Sequence, residues 1–195
     1  MIGEPKRDLR LRVLDARRAT SETERAEHDR LLCDEVARWL DAGPDAGRLT
    51  VAGYAPMPNE PGGASLPAVL AAHAGRLLLP VWQPDNDLEW ADYRGLLTPG
   101  RRGPHEPDGP PLGVHAITEA AVVIAPALAV DRHGMRLGRG GGSYDRALAR
   151  LGDAAIVVAL LYPGEILSEP VPTEPHDRPV HGVIDPTGVH WFAAM

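Results

Sequence analysis

Residues 131–146 read Asp-Arg-His-Gly-Met-Arg-Leu-Gly-Arg-Gly-Gly-Gly-Ser-Tyr-Asp-Arg, with four glycines among the five residues 138–142. Glycine adopts φ > 0 without steric cost and lets a ligand come close to bare N–H groups. Arg136, Arg139 and Arg146 add positive charge beside that run. The segment follows an apolar stretch and leads into a helical pattern with Tyr144, Ala147, Leu148 and Leu151 on one face. A helix N-terminus there would favour an anion further. A tight connection needs fewer glycines and no flanking arginines, so residues 138–144 read as a phosphate-binding loop.

Two common nucleotide patterns do not fit. A Walker A loop ends in Gly-Lys followed by Ser or Thr, and that triplet does not occur. A dinucleotide fingerprint wants a third Gly or Ala where Ser143 stands, and it belongs in the first βα unit rather than late in the chain. Asp145 narrows the chemistry. A carboxylate beside bound phosphate repels it unless a cation lies between them, and Mg²⁺ is the usual bridge. The competing reading is that Asp145 only complements its own helix dipole. Asp177, in Pro175-His176-Asp177, is a candidate second carboxylate.

The elements that must hold these residues follow from periodicity. Residues 4–19 form a helix with Leu9, Val13 and Ala16 on one stripe and Lys6, Arg10 and Arg17 on another. Ser21-Glu22-Thr23-Glu24 is a capping box that opens a second helix through Leu32, Val36 and Leu40, ending near Gly43-Pro44. Strands are expected at 49–55, 76–82, 88–93, 121–127 and 155–162, with short ones at 180–184 and 189–192. Helices are expected at 65–73 and 144–151. The Pro-, Gly- and Asp-rich stretch 83–113, outside its one strand, reads as an irregular excursion. Strands alternating with helices predict a three-layer α/β/α, Rossmann-like single domain on a mostly parallel open sheet. The basic helices occupy 4–42 and the α/β core 49–195.

The 195 residues suit one domain with a core of its own. Cys33 is the single cysteine, which rules out an internal disulfide and Cys-rich metal sites, and it reads as a small buried hydrophobe on a helix. A net charge of −7 argues against bulk nucleic-acid binding. No apolar run approaches the ~20 residues that span a bilayer, so a cytoplasmic protein, expected as a monomer, is the reading. Lys6 is the only lysine.

The run from Arg136 to Arg146, Arg-Leu-Gly-Arg-Gly-Gly-Gly-Ser-Tyr-Asp-Arg, closely resembles the signature of the 5-formyltetrahydrofolate cyclo-ligase family. The likeness extends along the chain. It includes Lys6-Arg7-Asp8-Leu9-Arg10, Gly53-Tyr54-Ala55-Pro56 with Glu60, Leu79-Pro80-Val81, Glu106-Pro107, residues 123–127 and Pro175-His176-Asp177. Ser143 and Val130 stand where the family usually carries aromatic residues, so the resemblance supplies no stacking ring at position 143.

That resemblance implies an enzyme that uses ATP and Mg²⁺ to convert 5-formyltetrahydrofolate to 5,10-methenyltetrahydrofolate, with ATP and reduced folate as its partners. It implies that Lys6, Arg7 and Arg10 reach ATP phosphates, as do Arg136, Leu137, Gly138, Arg139, Gly140, Gly141, Gly142, Ser143 and Tyr144. Arg139 and Asp145 would be catalytic, and Asp145 and Asp177 would hold Mg²⁺. Ala55, Glu60 and Tyr144 would line the folate pocket. Taken without the resemblance, Lys6 and Arg10 could be a solvated basic stripe, Glu60 a solvated loop residue and Tyr144 a packing residue. Competing functions are a sugar-phosphate isomerase or CoA transferase of similar architecture, a relative that binds folate or nucleotide without turnover, and, weakest, a nicotinamide-dependent oxidoreductase.

Overall fold

A computed structural model describes residues 6–100, 103–174 and 177–192. The expected helix start at residues 4 and 5, together with Pro175 and His176, lies outside the described residues. In chain order the helices are α1 (Lys6–Ala19), α2 (Glu22–Ala42), α3 (Leu66–His73) and α4 (Ser143–Leu148), with a 3₁₀ helix at Val114–Glu119. The strands are β1 (Thr50–Ala52), β2 (Arg76–Trp82), β3 (Leu88–Asp92), β4 (Leu97–Pro99), β5 (His105–Pro107) and β6 (Val122–Pro126). After them come β7 (Ala129–Asp131), β8 (Arg136–Leu137), β9 (Ile156–Leu160), β10 (Ile166–Leu167), β11 (Gly182–Asp185) and β12 (Gly188–Trp191).

Seven strands form the main sheet in the order β12-β11-β9-β6-β1-β2-β3. Its four inner pairings are parallel, and only the edge pairs β11–β12 and β2–β3 are antiparallel. The apolar runs at 77–80, 122–125 and 157–160 are buried without alternation, as parallel strands covered on both faces must be. From β1 the chain passes through α3 to β2 on one side. From β6 it passes through α4 to β9 on the other. Right-handed crossovers running in opposite directions put their helices on opposite faces, which gives the expected three layers. The direction of winding reverses between β1 and β6. In open α/β sheets that reversal leaves a crevice at the carboxyl ends of the strands.

Local chemistry explains the boundaries. The Ser21 side chain accepts the Glu24 N–H at 3.2 Å, which is the cap the sequence announced. Pro44 stops α2 one residue past its cap, because proline disfavours helical geometry in the residue before it. Cys33 is buried on α2 beside the Gly62 carbonyl, and burial pushes its thiol up to about 11.

Three expectations need correction. The 83–113 stretch is not wholly irregular beyond β3, since β4 and β5 pair as a hairpin. A small sheet of order β10-β7-β8 flanks the glycine run; its strands are two or three residues long, too short to show a period. The helix expected to reach Leu151 ends at Leu148, where bonds from Arg150 to Ala147 and from Leu151 to Leu148 tighten the chain into a 3₁₀-type turn.

Helix α1 also packs differently from its expected stripes. Leu9 and Val13 are buried against Leu128, Ala129, Leu137, Leu167 and Val171, but Ala16 is exposed and Arg17 is buried in its place. The basic stripe therefore faces the protein rather than water. Lys6 and Arg10, half-buried, touch other elements, and Arg17 is fully enclosed.

Candidate active site

A cleft with a cavity volume of about 90 Å³ opens at the reversal point of the sheet. Tyr54 and Ala55, just past β1, line one side, and Pro126, Ala127 and Leu128, at the end of β6, line another. Glu60 projects from the turn-rich segment 56–63, Trp82 from the end of β2, and His105 from the β4–β5 hairpin. The glycine run, residues 138–142 with Ser143, Tyr144 and Asp145, forms the remaining wall.

The loop is held by arginines. Gly140 and Gly142 have φ of +100° and +68°, conformations that side chains beyond glycine rarely adopt. Arg10 reaches from α1 to donate Nε–H to the Gly138 carbonyl at 2.9 Å, and its guanidinium lies 3.4 Å from where a Cβ on Gly140 would sit. Arg146 bonds the carbonyls of Asn86 and Gly141. Arg136 is not a free cation for phosphate. It is buried, donates to the Pro126 carbonyl at 3.0 Å and pairs with Asp145, so it acts as a strut behind the loop. Helix α4 has only six residues, so few peptide dipoles add at its start, and the positive character of this wall comes from the arginines. Two buried polar atoms on this wall, Arg136 Nε and Ser143 Oγ, have no hydrogen-bond partner among the described residues. Buried polar atoms are rarely left so.

Opposite the loop, Glu60 is 6% exposed and Arg139 bonds it at 2.7 Å through Nε. The other Glu60 oxygen accepts the Met57 N–H at 2.9 Å. Glu60 is therefore an anchored carboxylate in the cleft and not a solvated loop residue. Tyr144 is both wall and support: its hydroxyl donates to the Gly53 carbonyl at 3.1 Å, and its ring meets Trp90 edge-on. Burial pushes the Tyr144 and Tyr54 hydroxyls well above the ordinary tyrosine range, so both stay protonated.

The remaining expected residues fall in different places. Ala55 lines the cleft. Leu137 is fully buried in the apolar cluster under α1, so only its backbone belongs to the loop. Arg7 is exposed, one position off the packed face. Lys6 pairs with Asp177 at 2.7 Å and lies 3.8 Å from Glu174. Asp145 lines the cleft, whereas Asp177 is not among its walls. Among the described residues no group of three or more His, Cys, Asp or Glu side chains could hold a metal. The donor set suits Mg²⁺ that arrives on a nucleotide, which needs only one or two carboxylates beside phosphate oxygens.

Below the cleft lies a cluster that sequence reasoning missed. Arg17 bonds Glu165 through Nε and Nη2 at 2.6 and 2.7 Å. It also donates to the carbonyl of Ala127 at 2.7 Å and to that of Asn59 at 3.4 Å, and it lies 5.4 Å over the Tyr162 ring. Burial lowers the guanidinium's pKa, but the hydrogen bonds and charge of Glu165 raise it by more, and the net direction is up. Asp29 accepts from Gly62 N–H and from the Tyr162 hydroxyl, and burial pushes its carboxyl up. The only sequence signal was Arg17 recurring on the stripe of Arg10, with nothing local to name its partner.

Comparison with known proteins bears on the family and the fold. Residues 2–186 match the model of the 5-formyltetrahydrofolate cyclo-ligase family. A 5-formyltetrahydrofolate cyclo-ligase of Mycolicibacterium smegmatis is 39% identical over 192 residues, covering 95% of this chain and 96% of that protein. The solution structure of a 5,10-methenyltetrahydrofolate synthetase of Aquifex aeolicus superposes with a TM-score of 0.75 at 26% identity, covering 97% of this chain and 94% of the other. A 5,10-methenyltetrahydrofolate synthetase of Mycoplasma pneumoniae shares the fold, with a TM-score of 0.72 at 20% identity and coverage of 94% and 99%. With a family match over nearly its whole length and a relative of equal extent, the chain belongs to the 5-formyltetrahydrofolate cyclo-ligase family.

Proposed function

We propose that this protein closes the formyl group of 5-formyltetrahydrofolate onto N10, using ATP and releasing ADP and phosphate to give 5,10-methenyltetrahydrofolate. The observation that carries the reading is the meeting of an arginine-braced glycine loop with Glu60 across one cleft at the sheet's reversal point.

The chemistry needs positioning more than a nucleophilic side chain. A formyl amide carbon is a poor electrophile because nitrogen donates into it, and its oxygen is a poor leaving group. The formyl oxygen attacks the γ-phosphorus of ATP and ADP departs. N10 then attacks the formyl carbon and gives up its proton to water, while the C–O bond breaks and phosphate leaves with its electron pair. Phosphoryl transfer of this kind asks a protein to hold the reactants in line and to neutralise charge.

Each wall has a part in that task. The backbone of residues 138–142, with Lys6 and Arg10 from α1 and with Arg7 at its exposed end, binds the triphosphate. The Nε–H of Arg139 rests on Glu60, and its terminal N–H groups serve the transferring phosphoryl oxygens. Glu60 hydrogen-bonds the folate, and Ala55 and Tyr144 line its pocket. Ser143 Oγ, with no hydrogen-bond partner among the described residues, sits in the cleft wall and fits a polar atom of bound substrate. Asp145, and Asp177 once released from Lys6, would hold the Mg²⁺ carried by ATP. Bound there, it would neutralise the charge that develops on the phosphate oxygens. A monomer in the cytoplasm fits the reading; among the described residues no helix is long and apolar enough to cross a membrane.

Mixing purified protein with Mg-ATP and 5-formyltetrahydrofolate should produce the near-ultraviolet absorbance of the methenyl product at a rate that depends on both ATP and Mg²⁺. Folded protein that forms no product overturns the reading. Asp145→Asn keeps a partner for buried Arg136 and should abolish the Mg²⁺-dependent rate with the circular dichroism unchanged. An undiminished rate removes Asp145 from the site.

A further inference from the structure

Beneath Glu60 sits a buried charge with no role in the reaction as described. Arg17, on α1, has a side chain 2% exposed and is locked to Glu165 through two nitrogens. Its remaining hydrogen bonds go to carbonyls in the cleft wall or beside it. Nη1 bonds the carbonyl of Asn59, the residue before Glu60, and Nη2 bonds the carbonyl of Ala127 in the wall at the end of β6. The ring of Tyr162 lies under the guanidinium, and the Tyr162 hydroxyl is within bonding distance of the Glu60 carbonyl at 3.1 Å. The peptide carbonyls on both sides of the Glu60 Cα are thus held by one cluster.

That grip has a conformational job to do. Asn59 has φ of +65°, the left-handed region that a non-glycine residue enters at a cost. It aims the next side chain into the cleft, where Glu60 meets Arg139 and the Met57 N–H. A buried ion pair is weak evidence for stability, since apolar residues of similar volume often do as well or better. Joining three chain segments at fixed geometry calls instead for several donors in one rigid plane, which guanidinium supplies and ammonium does not.

We propose that Arg17, oriented by Glu165, is a positioning residue for the folate half of the site. It sets the Glu60 carboxylate at the position the formylfolate requires, without touching the substrate. The proposal rests on the reading of Glu60 as the folate-binding carboxylate.

The test is a kinetic cycle on the full-length protein with Arg17→Lys, Glu60→Gln and the double variant. Arg17→Lys keeps the charge opposite Glu165 but loses the fork. It should raise KM for 5-formyltetrahydrofolate about tenfold, a coupling of the size seen between residues in contact, and change KM for ATP by less than about twofold. Glu60→Gln should raise the same KM. The double variant should be no worse than Glu60→Gln, because Arg17 acts through that carboxylate. A Glu60→Gln protein with unchanged folate KM overturns the Glu60 reading and this proposal with it. A raised KM in Glu60→Gln with no change in Arg17→Lys, equal losses for both substrates, or losses that multiply in the double variant overturn the positioning role alone. If Arg17→Lys does not fold by circular dichroism, Glu165→Gln takes its place in the same cycle, with the same outcomes deciding.

Discussion

Arg17–Glu165 and Arg139–Glu60 are the same pair of residue types at nearly the same separation, 2.6 and 2.7 Å between nitrogen and oxygen. They differ in exposure. The side chains of the first pair are 2% and 9% exposed, whereas Arg139 in the second is 38% exposed over a Glu60 that is 7% exposed. Water can reach one partner of the open pair, so a ligand can displace that bond and gain the guanidinium. Neither partner of the closed pair can trade its bond without leaving a charge in a poorly solvated place. Equal geometry therefore serves two ends: the open pair is exchangeable and suits chemistry, and the closed pair is fixed and suits alignment.

The comparison breaks most visibly at the closed pair. Glu165→Ala should destabilise the protein by about 3–5 kcal/mol, because the Arg17 guanidinium stays buried without its partner. Urea unfolding measures this, and a loss under 1 kcal/mol would show that water reaches Arg17 after all. The open pair should respond in the opposite sense. Arg139→Gln retains a donor for Glu60, so stability should move by less than about 1 kcal/mol, while turnover falls on the order of 100-fold or more, as when one transition-state donor is removed. Equal unfolding midpoints with unequal rates separate the two pairs cleanly.

Smaller effects test the frame around them. Gly142→Ala places a Cβ at φ +68°, and 3.1 Å from Nη1 of Arg146. It should cost about 1–2 kcal/mol from backbone strain, with a larger relative loss in ATP affinity than in folate affinity, read from the two KM values. Asp185, at the end of β11 and not among the walls of the cleft, offers a control carboxylate. Burial pushes its carboxyl up, but hydrogen bonds from Thr187 and His190 outweigh that, so its pKa is lowered below the ordinary aspartate value. A lowered folded pKa means stability that is present above the ordinary value of 3.8 and lost as pH falls through the folded one. Asp185→Asn should flatten the acid limb of the urea midpoint against pH and leave turnover at neutral pH unchanged. A matching flattening of the activity profile would tie this edge to the site.

Much of this protein could be read locally, and the reasons are physical. The Ser21 cap and the helix after it depend on bonds three and four residues apart, so their signature is contiguous. Strands β2, β6 and β9 announce themselves because a parallel strand buried on both faces must be apolar throughout. The glycine run carries its own meaning, since positive φ at Gly140 and Gly142 is a property of single residues. Strands β7, β8 and β10 were illegible for the converse reason, being stable only through one another.

What the linear sequence left open was which way each charge faces. The stripe of Lys6, Arg10 and Arg17 was visible as a period, but a period does not say whether water or protein lies against it. The fold turned that stripe inward, giving Arg10 to the Gly138 carbonyl and Arg17 to a glutamate 148 residues away. Arg139 and Glu60 were each named from the sequence, yet their contact spans 79 residues and exists only because the strand winding reverses between β1 and β6. Sequence determined the loop, its caps and its neighbouring acid, because those need only nearby atoms. Tertiary structure alone decided which arginine is buried and which is open, because burial is a property of everything packed around a side chain.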